Sequence, residues 1–180
     1  MHVAHIQGRF QPFHREHADY ARWAAEDSDK LIIGITRPDP SVSSKEEADP
    51  KRHLKKHNPF FYFERKNMIK SFVESKSWSC EIELLPFPIS NPDIWDHYAP
   101  PSATHYVNVL EPWHKVKIER FRDAGRQVEY KHDKREVSST DIRKMIAHGD
   151  PWEHEVPDAV VNHIKNINGK KRIRRIWETD

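Results

Sequence analysis

Apolar positions in this chain gather into short runs of four to seven residues, set between longer stretches with helical spacing. "HVAHIQ" (residues 2–7) followed by Gly8 predicts a strand that ends in a turn, and "REHADYARWAAED" (15–27) predicts a helix packing through Ala18, Ala21, Trp23, Ala24 and Ala25. "KLIIGITR" (30–37) predicts a buried strand. Together they form a strand–helix–strand unit of about 36 residues, the length of a parallel crossover. Helices are then predicted over 60–76, 91–98, 113–124, 138–149 and 157–167, and strands over 81–87, 104–111 and 126–131. Gly125 supplies a C-terminal cap and Pro157 a helix opening. The stretch 38–59, rich in proline, serine and charge, shows no apolar period and reads as a long functional or disordered loop.

Strands alternating with helices predict an α/β fold: a Rossmann-like, doubly wound parallel sheet of five strands. One domain should span residues 1–180, with the C-terminal helices from about residue 138 packed on it. Ligands of such sheets sit at the carboxyl ends of the strands where the winding direction changes, and the first strand ends at Gly8.

Composition narrows the classes. Thirty Lys and Arg stand against 28 Asp and Glu, for a formal charge of +2 that 13 histidines would raise below neutral pH. A nucleic-acid-binding module would use "KRHLKKH" (51–57) and "KKRIRR" (170–175) on backbone phosphates. The near-balanced charge argues against it, and Ile173, Ile176 and Trp177 are spaced to pack one face of a terminal helix. Cys80 is the only cysteine, which excludes an internal disulfide, fits a reducing cytoplasm and predicts a buried, inert thiol. No run is long enough to span a bilayer and the N-terminus lacks signal-peptide character, so no membrane partner is expected.

The densest chemistry lies in "GRFQPFHREH" (8–17). A helix start offers unpaired N–H groups and a positive partial charge. His14 and His17, three apart, share one face of its first turn, and Arg9 adds a guanidinium fork suited to phosphate oxygens. A zinc site would need a third ligand that nothing nearby clearly supplies. A second cradle lies in "VSSTDIRK" (137–144): Ser138 or Ser139 can cap the helix, Asp141 completes a capping box with Ser138, and Arg143 sits in the first turn. Two cradles imply a ligand with several phosphates.

"GRFQPFHxxH" with a downstream "SSTxIR" resembles the nucleotidyltransferase superfamily, and within it the archaeal-type nicotinamide mononucleotide adenylyltransferases. "NPFFYFERKNMI" (58–69), "PFPISNPDIW" (86–95) and "GDPWEHEVPDAVVNHIK" (149–165) look like family segments in family order. The resemblance implies transfer of a nucleoside monophosphate from a nucleoside triphosphate to a small phosphate-bearing acceptor, with pyrophosphate released and Mg²⁺ arriving through the triphosphate. It assigns His14, His17 and Arg143 as catalytic, holding the α-, β- and outer phosphates. Gly8, Arg9, Phe10, Ser138, Ser139 and Thr140 become nucleotide-binding, and Trp95, Asn91, Asn58 and Arg65 acceptor-binding. Trp95 matches a position where family members stack nicotinamide; its alternative is core packing, and the three polar residues could equally be caps or surface groups. The resemblance also admits a homo-oligomer.

Three departures bear on specificity. The family's HxGH glycine is Glu16; a carboxylate about 4 Å from a phosphate costs roughly 4 kcal/mol at an effective dielectric near 20. Lying two residues from His14, roughly 200° around the helix, Glu16 is expected to point away from the ligand. "NVLEPWHKVK" (108–117) replaces a Thr-Gly-Asn turn, and "FFYF" (60–63) replaces smaller residues. These leave open a cytidylyltransferase acting on a phosphonate as the alternative to ATP and nicotinamide mononucleotide.

Overall fold

A computed structural model describes residues 1–37 and 54–179. The first predicted strand is β1 (Val3–Gly8), followed by helix α1 (Arg15–Ala25) and β2 (Lys30–Thr36). Helix α2 (Tyr62–Glu74) leads to β3 (Glu81–Phe87), then to a 3₁₀ turn at Pro92–His97, β4 (Thr104–Val109), α3 (Pro112–Asp123) and β5 (Gln127–His132). The chain ends in α4 (Ser139–His148), α5 (Asp158–Asn166) and α6 (Gly169–Thr179). Most of the predicted 38–59 loop, with Lys51, Arg52 and His53, lies outside the described residues; its end carries a 3₁₀ turn at Lys55–His57.

All strand pairs are parallel, in the order β3-β2-β1-β4-β5. The winding therefore reverses beside β1, between its neighbours β2 and β4, which makes the carboxyl ends of β1 and β4 the switch point.

The chain divides into two compact units. The first (Met1–Gly8, Asp19–Pro38, Trp78–Glu136) contains the whole sheet. One of its cores joins Phe87, Ile89, Trp95, Val107, Val109, Ile118 and Phe121. Unusually for a sheet interior, it also buries a polar pair: His5 and His105, both 0% exposed, share a hydrogen bond of 2.9 Å between their Nδ1 atoms. Gly34 on β2 must be glycine, because a Cβ there would stand 2.6 Å from His5 Nε2 and 2.8 Å from Phe87 Cβ. Gly125 follows α3 with φ of +71° and donates to the Arg122 carbonyl, the C-terminal cap expected of it. Cys80 is only partly buried, against expectation, because it sits at the end of a turn just before β3 instead of inside the sheet.

The second unit (Arg9–Ala18, Asp39–Ser77, Val137–Asp180) holds the start of α1 and the helices α2, α4, α5 and α6. Phe13 packs on Phe72 with ring centroids 5.0 Å apart. Arg172 of α6 grips Glu64 of α2 with two bonds of 2.6 and 2.8 Å, and Arg174 donates to the Ile146 carbonyl. Two cations of the "KKRIRR" cluster thus hold helices together, while Ile173 is buried as its spacing predicts.

Candidate active site

The two predicted cradles meet within the second unit. After β1 the chain turns through Phe10, a non-glycine residue at φ +53°, a conformation that costs about 1–2 kcal/mol and persists only where packing imposes it. Phe10 is 1% exposed, with its ring 5.5 Å from Phe13 and edge-on to His17 at 4.9 Å. Phe10 therefore acts as a wall behind an imidazole. The turn is also held from outside. Gln11 exchanges two hydrogen bonds with the backbone of Phe60, at 2.9 and 3.0 Å, and Arg65 donates to the Arg9 carbonyl at 2.8 Å.

His14 precedes α1, its carbonyl accepting the first helical bond from Ala18. The His14 N–H donates to Nδ1 of His17 at 3.3 Å, the role a Glu plays in a capping box. That bond makes Nδ1 an acceptor, so the proton of the neutral ring sits on Nε2, leaving Nε2–H as the donor. The rings of His14 and His17 lie 3.7 Å apart at 33°, confirming that the spacing places them on one face.

At the other tip, Ser138 caps α4 by accepting from Asp141 N–H at 3.2 Å, while Asp141 accepts from Ser138 N–H at 3.0 Å. The predicted capping box is real, and it occupies the Ser138 hydroxyl. Ser139 donates to the Pro12 carbonyl at 3.0 Å. Arg143, 1% exposed, donates through Nη1 to the Gln11 carbonyl at 2.6 Å and through Nη2 to the Thr140 hydroxyl at 2.9 Å. Nη2 also lies 3.2 Å from Nδ1 of His57. Burial lowers its pKa to about 10, with Asp141 opposing the shift, so the guanidinium is charged at neutral pH. Its Nε is buried without a partner, and no described carboxylate forms an ion pair with it. A buried cation hydrogen-bonded to neutral groups, in the first turn of a capped helix, has the charge and the donors that could receive an anion.

The acceptor-side residues are more scattered. Trp95, in the first unit, is 0% exposed, donates its indole N–H to the Pro88 carbonyl at 2.9 Å and packs 4.8 Å from Phe121. It is a core residue and not an exposed stacking platform, because its ring is enclosed with Phe87 and Phe121 in the core of the first unit. Asn58 closes the Lys55–His57 turn by donating to the Leu54 carbonyl at 3.1 Å. Asn91 opens the Pro92–His97 turn and is exposed. Arg65 is 3% exposed and braces the Arg9 turn. Gly8 ends β1 in the first unit.

Two participants carry no sequence signal for the site, and neither does the partner of a third. Gln11 lies inside the quoted motif, but its bonds to Phe60 cross 49 positions. His57 belongs to a basic cluster in the sequence; its approach to Arg143 crosses 86 positions, and no local signal marks it. For Glu16 the spacing gives a direction, but its acceptor contact with the Val137 N–H, at 3.0 Å, has no sequence signature. Among the described residues no cluster of three His, Cys, Asp or Glu could hold a metal ion.

The cytidylyltransferase-like family matches this chain over residues 5–145, a span that includes both helix tips. A phosphonoformate cytidylyltransferase of Streptomyces viridochromogenes is 38% identical over 172 residues, covering 94% of this chain and 94% of its own. A nicotinamide-nucleotide adenylyltransferase of Saccharolobus solfataricus is 32% identical over 177 residues, covering 96% and 95%. The crystal structure of a bifunctional NMN adenylyltransferase/ADP ribose pyrophosphatase of Francisella tularensis, complexed with AMP and a manganese ion, shares the fold with a TM-score of 0.60 at 18% identity. It covers 99% of this chain, which spans 56% of that longer protein.

Proposed function

Because this chain belongs to the cytidylyltransferase-like family and is a nucleotidyltransferase, we propose that it moves a cytidylyl group from CTP to a small acceptor bearing a phosphonate or phosphate. An acceptor oxyanion attacks the α-phosphorus; the new O–P bond forms as the bond to the β-phosphate oxygen breaks, and pyrophosphate leaves with that electron pair. No proton must be moved and no covalent enzyme intermediate is formed. The chain's task is alignment and stabilisation of charge on the α-phosphate and the departing pyrophosphate.

The observation that carries this reading is Arg143, a buried guanidinium that forms no ion pair among the described residues and is held on the Gln11 carbonyl, three positions before His14. In the proposed complex His17 donates from Nε2, His14 joins it on the α- and β-phosphates, and Arg143 with the Ser139 and Thr140 amides meets the outer phosphates. The divalent metal would come with the triphosphate, as part of the substrate. It supplies charge neutralisation.

Cytidine is placed first because the phosphonoformate cytidylyltransferase shares 38% identity along nearly the full length of both chains, and because Glu16 and the residues after β4 depart from the adenylyltransferase pattern. The second reading, adenylyl transfer from ATP to nicotinamide mononucleotide, is favoured by the adenylyltransferase relatives at 30 to 32% identity. Pyrophosphate release decides between them. The chain is incubated with CTP or ATP against phosphonoformate, other small phosphonates and nicotinamide mononucleotide. Turnover with CTP and a phosphonate supports the first reading; turnover with ATP and nicotinamide mononucleotide alone installs the second; none with any pair removes both.

A further inference from the structure

The start of α1 and the start of α4 are joined by three described hydrogen bonds. Ser139 Oγ donates to the Pro12 carbonyl at 3.0 Å, Arg143 Nη1 to the Gln11 carbonyl at 2.6 Å, and the Val137 N–H to Glu16 Oε1 at 3.0 Å. The first two use backbone carbonyls that any sequence would offer. The third exists only because a carboxylate stands where the family pattern has glycine.

We infer that Glu16 is a positioning residue of the phosphate site, a latch that holds the α4 tip in register with His14 and His17. The inference rests on the proposed transferase reading and adds a residue that acts through another. Val137 immediately precedes the Ser138 cap, so its N–H lies outside the helical ladder and needs an acceptor. Glu16 provides a charged one in a partly buried setting, where such bonds are stronger than neutral ones. Pinning Val137 fixes the direction in which α4 begins, and with it the Ser139 and Thr140 amides and the root of Arg143. The same bond turns the carboxylate toward the backbone N–H, which offsets the repulsion a negative group would otherwise exert on a triphosphate at this tip. Among the described hydrogen bonds, a glycine at position 16 leaves only those to Pro12 and Gln11 between the starts of α1 and α4.

Four proteins test this: wild type, Glu16→Gln, Glu16→Ala and Glu16→Gly. Glutamine keeps an oxygen that can accept from Val137, alanine removes it without loosening the backbone, and glycine restores the family residue. Exchange of the Val137 amide proton, followed by NMR without substrate, should quicken by about tenfold or more in the Ala and Gly proteins and stay near wild type in Gln. In pyrophosphate release, Ala and Gly should lower kcat/KM for the triphosphate by about tenfold with KM for the acceptor unchanged, and Gln should restore it to within about threefold. Glu16→Ala or Glu16→Gly turning over as fast as wild type, Glu16→Gln as slow as Ala, or unchanged Val137 exchange in Ala would each overturn the latch. Should the wild type release no pyrophosphate from any triphosphate, the transferase reading falls by itself, and the exchange rates still decide whether Glu16 holds Val137.

Discussion

Arg143 donates to the carbonyl of Gln11 across 2.6 Å, tying the first turn of one helix to the loop that opens another 132 positions earlier. That bond brings a buried cation to the loop just ahead of the helix tip that carries both histidines, and it uses only one of the guanidinium's nitrogens. Lysine, a single point donor, cannot serve Gln11 and the Thr140 hydroxyl from one rigid plane.

Arg143→Lys should therefore lower kcat by about a hundredfold, the usual loss for removing one preorganised donor to a developing oxyanion. Steady-state pyrophosphate release measures this. A parallel melting curve separates it from the stability loss expected when the Gln11 carbonyl and Thr140 hydroxyl lose their partner, about 1–3 kcal/mol.

The tautomer of His17 makes a sharper prediction. Asparagine can replace Nδ1 as the acceptor for the His14 N–H but has nothing at the position of Nε2; glutamine reaches the Nε2 position and gives up the cap. Glu-like helix capping and catalysis should thus part company. His17→Asn should keep thermal stability within about 1 kcal/mol and lose about a hundredfold in kcat, while His17→Gln melts earlier and retains more activity.

Stability should fall on mild acidification because of the pair inside the sheet. Burial foremost, then the neighbouring His105, lowers the His5 pKa; burial foremost, with Arg126 and Lys117, lowers that of His105 to about 3. Both rings are neutral in the folded state, whereas in the unfolded chain each binds a proton near pH 6.5. Between about pH 3 and 6.5 the unfolded state holds more protons, so stability is complete above 6.5 and declines as pH falls through that window. Urea unfolding from pH 7 to 4 should show a slope approaching about 1.4 kcal/mol per pH unit for each ring. His105→Phe, which keeps the stack on Phe121 at 4.0 Å, should remove about half of it; an unaltered slope would place the titrating group elsewhere.

Gly34→Ala tests the same core from its neighbour. The added methyl would come within 2.6 Å of His5 Nε2 and 2.8 Å of Phe87 Cβ, both rigidly packed. A loss of about 1–3 kcal/mol in urea unfolding is expected. Unchanged stability would mean the two strands can part freely at that point.

By itself the sequence determined the order and type of the elements, the parallel sheet, the Gly125 cap, the Ser138–Asp141 capping box and the shared face of His14 and His17. The caps and the shared histidine face depend on residues within about four positions of one another, where helical period and cap chemistry are written directly in the spacing, and the parallel sheet follows from the length of the strand–helix–strand crossover. Tertiary structure alone decided that Trp95 is sealed in the core, that Arg143 settles on Gln11 beside His57, and that Glu16 turns to Val137. Those partners lie 86 to 132 positions apart, except for the packing of Trp95. Which buried donor meets which acceptor at such separations is chosen by how whole helices pack, and no local pattern carries that information.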